Sequence, residues 1–236
     1  MSQKRMRPLE GKVRRIVITG ATGAIGMALI GLCIKKGVEV LVLCRKDSAR
    51  AGRIPVHPLI RIRYCDLSQM KDWQPEEEEP YDIFYHFAWA GTTGTTRNDM
   101  YLQNKNVEYT LDAIRLAGRL GCHTFIGAGS QAEYGRVEGK LNENTPVRPE
   151  NGYGIAKLCA GLMSREECRS LGMRHIWTRV LSVYGPYDGE NSVIMSSIQK
   201  FLRGEEPELT AGDQIWDYLY SEDAARAFLA LGEKGR

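Results

Sequence analysis

At 236 residues the chain is long enough for one sizeable α/β domain with a small appendage. Its 32 basic and 29 acidic residues nearly cancel, to a net charge of +3, which argues against nucleic acid or a membrane surface as a partner. No stretch approaches the roughly 18 apolar residues of a membrane span, and no apolar segment of a secretory signal follows the basic start.

Residues 1–12, opening MSQKRMR, read as a flexible basic tail. RRIVITG is a short β-branched run ending in glycine, the pattern of a buried strand. From Ala24 to Lys36 the apolar positions Ile25, Leu29, Leu32 and Cys33 recur at helical spacing, and Gly37 stops the helix. VEVLVLC is a second strand, IRIRYC a third and DIFYHFAWA a fourth; the acidic run Glu76 to Glu79 between the last two reads as a solvated loop. Asp99 to Leu120 forms a long helix with Val107, Leu111 and Ile114 on one face, and CHTFIGAGS is a fifth strand. A helix from Tyr153 to Leu171 follows, then RHIWTRVLSVYG as one further strand. After about Tyr184 come the loop GPYDGEN, a helix from Val193 to Leu202, the short strand DYLY and a helix from Ser221.

Strand and helix alternate, which predicts a parallel sheet covered on both faces. Right-handed crossovers then make it a Rossmann-like doubly wound sheet. The segment after Tyr184 is expected to form a small lobe over the strand ends, where ligands of open α/β sheets bind. The six cysteines (Cys33, Cys44, Cys65, Cys122, Cys159, Cys168) form no C-x-x-C pair, and most sit in apolar runs. They read as reduced core thiols of a cytoplasmic protein. The four histidines show no metal-ligand spacing, so no metal site is expected.

The stretch ITGATGAIG places Gly20, Gly23 and Gly26 at every third position between a strand and a helix. This is the G-x-x-G-x-x-G form of the dinucleotide fingerprint. Gly20 permits the tight turn, Gly23 lets backbone N–H groups approach a pyrophosphate, and Gly26 lets helix and strand pack closely. The N–H groups from Thr22 through Ala24 and Ile25 then face the phosphates at a helix N-terminus. Residues 13–184 are accordingly read as an NAD(P)-binding domain. At the end of the second strand an NAD site usually holds a carboxylate, but Cys44 stands there, followed by Arg45 and Lys46. A guanidinium suits a 2′-phosphate, so NADP(H) is favoured over NAD(H). The alternative makes Arg45 an ordinary loop residue and puts Asp47 on the ribose. Asp66, ending the third strand ahead of Leu67, is placed to accept from the adenine amino group.

YGIAK sets Tyr153 and Lys157 one helical turn apart. A lysine ammonium near a phenol favours the phenolate, so the tyrosine pKa is expected to fall from about 10. The tyrosine could then exchange a proton with a substrate hydroxyl or carbonyl while hydride moves to or from the nicotinamide. Tyr101 and Lys105 share the spacing, but no serine-bearing strand end precedes them; Tyr101 reads as core or dimer surface. Ser130 ends the fifth strand before Tyr153 and can hydrogen-bond the reacting oxygen.

TGATGAIG, Asp66-Leu67, HFAWAG, Asn106-Val107, GSQAEYG, YGIAK, RVLSVYGP and WDYLYSEDAARA follow one another in order along nearly the whole chain. The series resembles the extended short-chain dehydrogenase/reductase family, of the NAD-dependent epimerase/dehydratase type acting on nucleotide sugars. The resemblance implies Ser130, Tyr153 and Lys157 as the catalytic trio, with Lys157 also on the nicotinamide ribose. It lays Ala88 and Val183 along the cofactor and gives Asn106 a supporting role. Trp89, Gln131 and Asn191 would face the sugar nucleotide. Homodimerisation through the two long helices is a further expectation.

Two departures narrow the reading. The family's 4,6-dehydratases tend to carry acidic residues just after the catalytic serine or threonine; here Gln131 and Ala132 stand there, and Glu133, one place on, is given no role. Dehydratase is thus disfavoured against 4-ketoreductase or epimerase. Many relatives hold the diphosphate with an arginine before the Asp of DYLY, where this chain has Trp216, a candidate to stack on a base. Members of the family continue well past the DAARA helix, so residues 185–236 are expected to be a partial substrate lobe together with the returning strand and helix of the core. The rival reading is a non-catalytic dinucleotide-binding sensor or scaffold; the intact serine, tyrosine and lysine speak against it.

Overall fold

The computed structural model describes residues 13–75 and 79–235. The basic tail of residues 1–12 and most of the acidic run, residues 76–78, lie outside the described residues.

Six parallel strands form the main sheet: β1 (Arg15–Thr19), β2 (Glu39–Cys44), β3 (Ile60–Tyr64), β4 (Ile83–His86), β5 (Thr124–Ser130) and β6 (Arg174–Val180). Their order, β3-β2-β1-β4-β5-β6, reverses direction between β1 and β4, as in a doubly wound Rossmann-like fold. Side chains alternate across the sheet. Ile16 and Ile18 of β1 enter one core with Ile30, Phe228 and Leu229; Val17 enters the other with Phe84, Ile114 and Phe125.

Helices α1 (Ala24–Lys36) and α5 (Ser221–Lys234) pack together over the first core. Helices α2 (Met100–Arg119) and α3 (Gly152–Ser170) pack together on the other face. Local chemistry sets their ends. Gly37 closes α1 in the left-handed region, φ 71°, with Val38 N–H donating to the Cys33 carbonyl at 2.9 Å. Asp99 caps α2 by accepting from Leu102 N at 3.1 Å, and Asn151 caps α3 by accepting from Gly154 N at 2.8 Å.

Three expectations are corrected. The run RHIWTRVLSVYG is not one strand: β6 stops at Val180, and β7 (Ser182–Tyr184) pairs in parallel with β8 (Tyr218–Tyr220) in a separate two-stranded sheet. Val180 pairs with Ser130, the last residue of β5, so Leu181 has no ladder partner and the chain leaves the main sheet. For the same reason β8 does not return to the core sheet, although α5 does pack on it. Tyr101 is 89% exposed and is therefore not core. Beyond β7 lies α4 (Val193–Leu202), which has no buried residue.

Candidate functional site

The glycine turn lies at the C-terminal edge of β1, beside the reversal of strand order. Gly20 has φ 69°, and a Cβ there would come within 2.5 Å of the Ala88 nitrogen. A Cβ on Gly26 would meet the Ala21 Cα at 2.6 Å, so α1 sits directly on the turn. Gly23 differs: a Cβ there would approach nothing nearer than the Gly20 carbonyl oxygen, at 3.7 Å. That open side faces a helix start with no side-chain cap. The first-turn N–H groups of Ala24, Ile25 and Gly26 therefore lack an internal acceptor. Donors converging on open space at a helix N-terminus fit a diphosphate. Thr22 turns its carbonyl toward Arg53, whose Nη1 donates to it at 3.4 Å.

Arg45 is exposed just past the end of β2. Asp66 Oδ1 accepts from Ser68 N and Ser68 Oγ, at 3.0 and 2.7 Å, and so caps the short turn that holds Leu67. Asn106 is buried and clasps Ala90: its Nδ2 donates to the Ala90 carbonyl and its Oδ1 accepts from Ala90 N, both at 2.9 Å. This fixes the segment carrying Ala88 and Trp89. Val183 is half-buried on β7.

Ser130 ends β5, and α3 starts so that Tyr153 and Lys157 approach it. The Tyr153 phenol faces the Ser130 side chain, which favours its ionised form. Lys157 Nζ donates to the Ala128 carbonyl at 2.6 Å and lies 5.7 Å from the centre of the Tyr153 ring. The trio expected from sequence is thus assembled. Its electrostatics differ from the expectation. Burial pushes the Tyr153 phenol up, and Ser130 and Arg97 only partly offset this. Lys157 is 4% exposed, and burial pushes its ammonium down to about 7, against the pull of Glu133. A lysine that is only partly charged cannot draw the phenol down.

A cleft of about 1010 Å³ is lined by Ser130, Gln131, Arg97 and Trp216; Tyr153 and Lys157 are not among its lining residues. Trp216 is held there by Nε1 donating to Ser182 Oγ at 2.6 Å. Asn191 is exposed on the loop before α4 and is not among the residues lining the cleft. Trp89 is turned partly inward: its Nε1 donates to Gln103 Oε1 at 2.8 Å, and its ring covers Lys157 Nζ at 3.8 Å. Among the described residues no group of acidic, histidine and cysteine side chains could hold a metal ion.

Two residues of the site are given no role in the sequence reading. The Arg97 guanidinium lies over the Tyr153 ring, 4.3 Å from its centre. It comes from the loop before α2, and no motif marks it. Glu133 is fully buried beneath the trio. The spacing Ser130-x-x-Glu133 is a capping-box pattern and could have flagged it.

Comparison with known proteins identifies the family. The family model described as NAD dependent epimerase/dehydratase family matches residues 16–236. A putative UDP-glucose 4-epimerase of Methanocaldococcus jannaschii is 25% identical over 91% of this chain and 72% of its own length. The uncharacterized UDP-glucose epimerase YtcB of Bacillus subtilis is 29% identical over 92% of this chain and 72% of its own. Among solved structures, the UDP-N-acetylglucosamine 4-epimerase of Methanobrevibacter ruminantium M1 shares the fold with a TM-score of 0.81, at 22% identity, over 96% of this chain and 75% of that one. With the glycine turn and the assembled trio in place, the match over nearly its full length means that this chain belongs to the NAD dependent epimerase/dehydratase family, extended short-chain dehydrogenases/reductases that act on nucleotide sugars.

Proposed function

We propose that the protein is an NAD(P)-dependent 4-ketoreductase or epimerase of a nucleoside-diphosphate sugar, with Tyr153 as its acid/base. The observation that carries this is the approach of Tyr153 and buried Lys157 to the end of β5, where Ser130 opens on a large cleft. A bound nicotinamide dinucleotide supplies hydride to a sugar carbonyl carbon or takes hydride from a carbinol carbon. In the reducing direction Tyr153 gives its proton to the carbonyl oxygen, and Ser130 donates a hydrogen bond to that oxygen as its charge grows. In the oxidising direction Tyr153, as phenolate, takes the hydroxyl proton. Lys157 reaches the nicotinamide ribose. The residues Gly20 to Gly26 hold the diphosphate, and Asp66, Leu67, Ala88 and Val183 line the rest of the dinucleotide. Arg45 favours NADP(H) by pairing with a 2′-phosphate. Gln131 and, from a partial substrate lobe at residues 185–236, Trp216 receive the sugar nucleotide.

Gln131 and Ala132 offer no carboxylate to expel water, which speaks for these reactions over dehydration. We place the protein in the cytoplasm as a homodimer joined through α2 and α3; its six unpaired thiols suit a reducing compartment.

The test is a panel of nucleoside-diphosphate sugars and their 4-keto forms, each with NADPH and with NADH, followed at the nicotinamide absorbance. Stoichiometric loss of reduced cofactor marks a reductase; sugar conversion without loss marks an epimerase. Tyr153→Phe should lower kcat about 10²–10⁴-fold with cofactor affinity nearly unchanged. Full turnover by this variant would overturn the mechanism.

A further inference from the structure

Glu133 is the one fully buried carboxylate among the described residues, and the chemistry proposed above leaves it without a role. Its Oε1 accepts from Ser130 N at 2.8 Å and from Trp177 Nε1 at 3.0 Å. Its Oε2 accepts from Arg179 Nε at 2.9 Å. Arg179 in turn reaches the Tyr134 hydroxyl at 3.3 Å. The backbone leaves room for this clamp at Gly129, where a Cβ would strike both Glu133 Oε1 and Trp177 Nε1.

A pair such as Glu133 and Arg179 is an expensive way to fill a core, since apolar residues of similar volume commonly serve as well or better. The carboxylate is also built into the turn that carries the serine of the trio. Ser130 caps that turn, and Glu133 answers it from the third position, completing a capping box. Other charged or titratable groups surround it. Lys157 and Tyr153 come from α3, Arg179 from β6 and Tyr134 from its own turn. Arg97 faces Tyr153 from the loop before α2, and His86 stands next to Lys157 on β4.

We infer that Glu133 is a positioning residue of the site: held by Trp177 and Arg179, its carboxylate fixes the Ser130 backbone and puts a buried negative charge in the wall behind the trio. A negative charge at this place favours the protonated form of both partners, the phenol and the ammonium. It keeps Lys157 partly cationic in a pocket that would otherwise strip its proton. What the pair is used for rests on the proposed function; the charge coupling does not, and it is readable without turnover.

The experiment is a titration of Tyr153 through its near-ultraviolet phenolate absorbance, taken as the difference between each protein and its own Tyr153→Phe counterpart. Glu133→Gln should move the transition to lower pH. Glu133→Met combined with Arg179→Met removes the pair together, leaves no charge buried alone, and should move it less, because the Arg179 charge that favours the phenolate is lost as well. Circular dichroism and thermal midpoints identify the variants that fold. A cap with no electrostatic part would lower stability and leave the titration in place, so coincident transitions in the folded variants would overturn the inference. If an inert wild type accompanies a shifted titration, the proposed function falls and the role of Glu133 stands. If turnover accompanies an unmoved titration, the reverse holds.

Discussion

His86 sits at the end of β4 with its Nδ1 2.9 Å from Thr19 Oγ1, fully enclosed between the strands that flank the glycine turn. Burial, with some help from the charge of Lys157, pushes its imidazolium down from 6.5 to about 3. The folded protein therefore holds His86 neutral where the unfolded chain would protonate it. Below 6.5 the unfolded state binds the extra proton, so the contribution is complete above that pH and is lost as pH falls toward about 3. Urea unfolding at about pH 7 and about pH 5 should show the wild type losing about 2 kcal/mol more than His86→Gln between the two conditions. Other titrating groups are common to both proteins and cancel. Equal losses would mean that the imidazole is not held neutral. His86 opens the HFAWAG motif, but the sequence does not show that its imidazole is held neutral, because the shift comes from burial among strands that meet only in the fold. Arg97 is hidden in the same way. Tyr153 and Lys157 were legible because one helical turn brings them together without help from elsewhere.

At the scale of elements the glycine turn was the most legible feature, since strand, turn and helix are contiguous and each glycine has a local reason. The reasons differ along α1, which allows a paired test. A methyl group at Gly26 must push into the backbone of Ala21, whereas one at Gly31 of the same helix would meet nothing within 4 Å. Gly26→Ala should cost about 1–3 kcal/mol and weaken dinucleotide binding, because the helix start must back away from the turn. Gly31→Ala should gain about 0.5–1 kcal/mol from helix propensity and leave binding unchanged. Denaturant unfolding and calorimetric cofactor titration on the two variants check both signs. If both destabilise alike, the close approach of α1 to the turn is not what Gly26 provides. The break between β6 and β7 was not legible. RHIWTRVLSVYG contains no turn residue before Gly185, and the break arises because the neighbouring strand runs out at Ser130. A non-local cause of this kind leaves the apolar pattern intact.

For the whole molecule, the alternation of strands and helices was enough to predict the doubly wound sheet, since right-handed crossovers leave few alternatives. The outer faces of the helices are another matter. The pattern along α3 predicts a buried stripe but does not say what a second stripe would cover. Ile155, Cys159, Leu162 and Met163 recur at the spacing of one helical face; Ile155, Leu162 and Met163 are 52%, 50% and 44% exposed. Tyr101 and Met100 at the start of the adjoining α2 are exposed as well. Grouped apolar side chains on two helices that already pack together form the kind of surface that a second copy can cover, in a two-fold arrangement where α2 and α3 meet their counterparts. Leu162→Lys combined with Met163→Glu removes that complementarity without touching the core, and exposed substitutions of this kind change monomer stability by only about 0.5 kcal/mol each. Light scattering should therefore find twice the chain mass for the wild type and the single mass for the double variant. Both proteins should unfold at the same denaturant concentration when measured below the dissociation constant of the wild-type dimer. A wild type of single mass, or a variant that still doubles, would place the subunit contact elsewhere or remove it, and the apolar face of α3 would need another occupant.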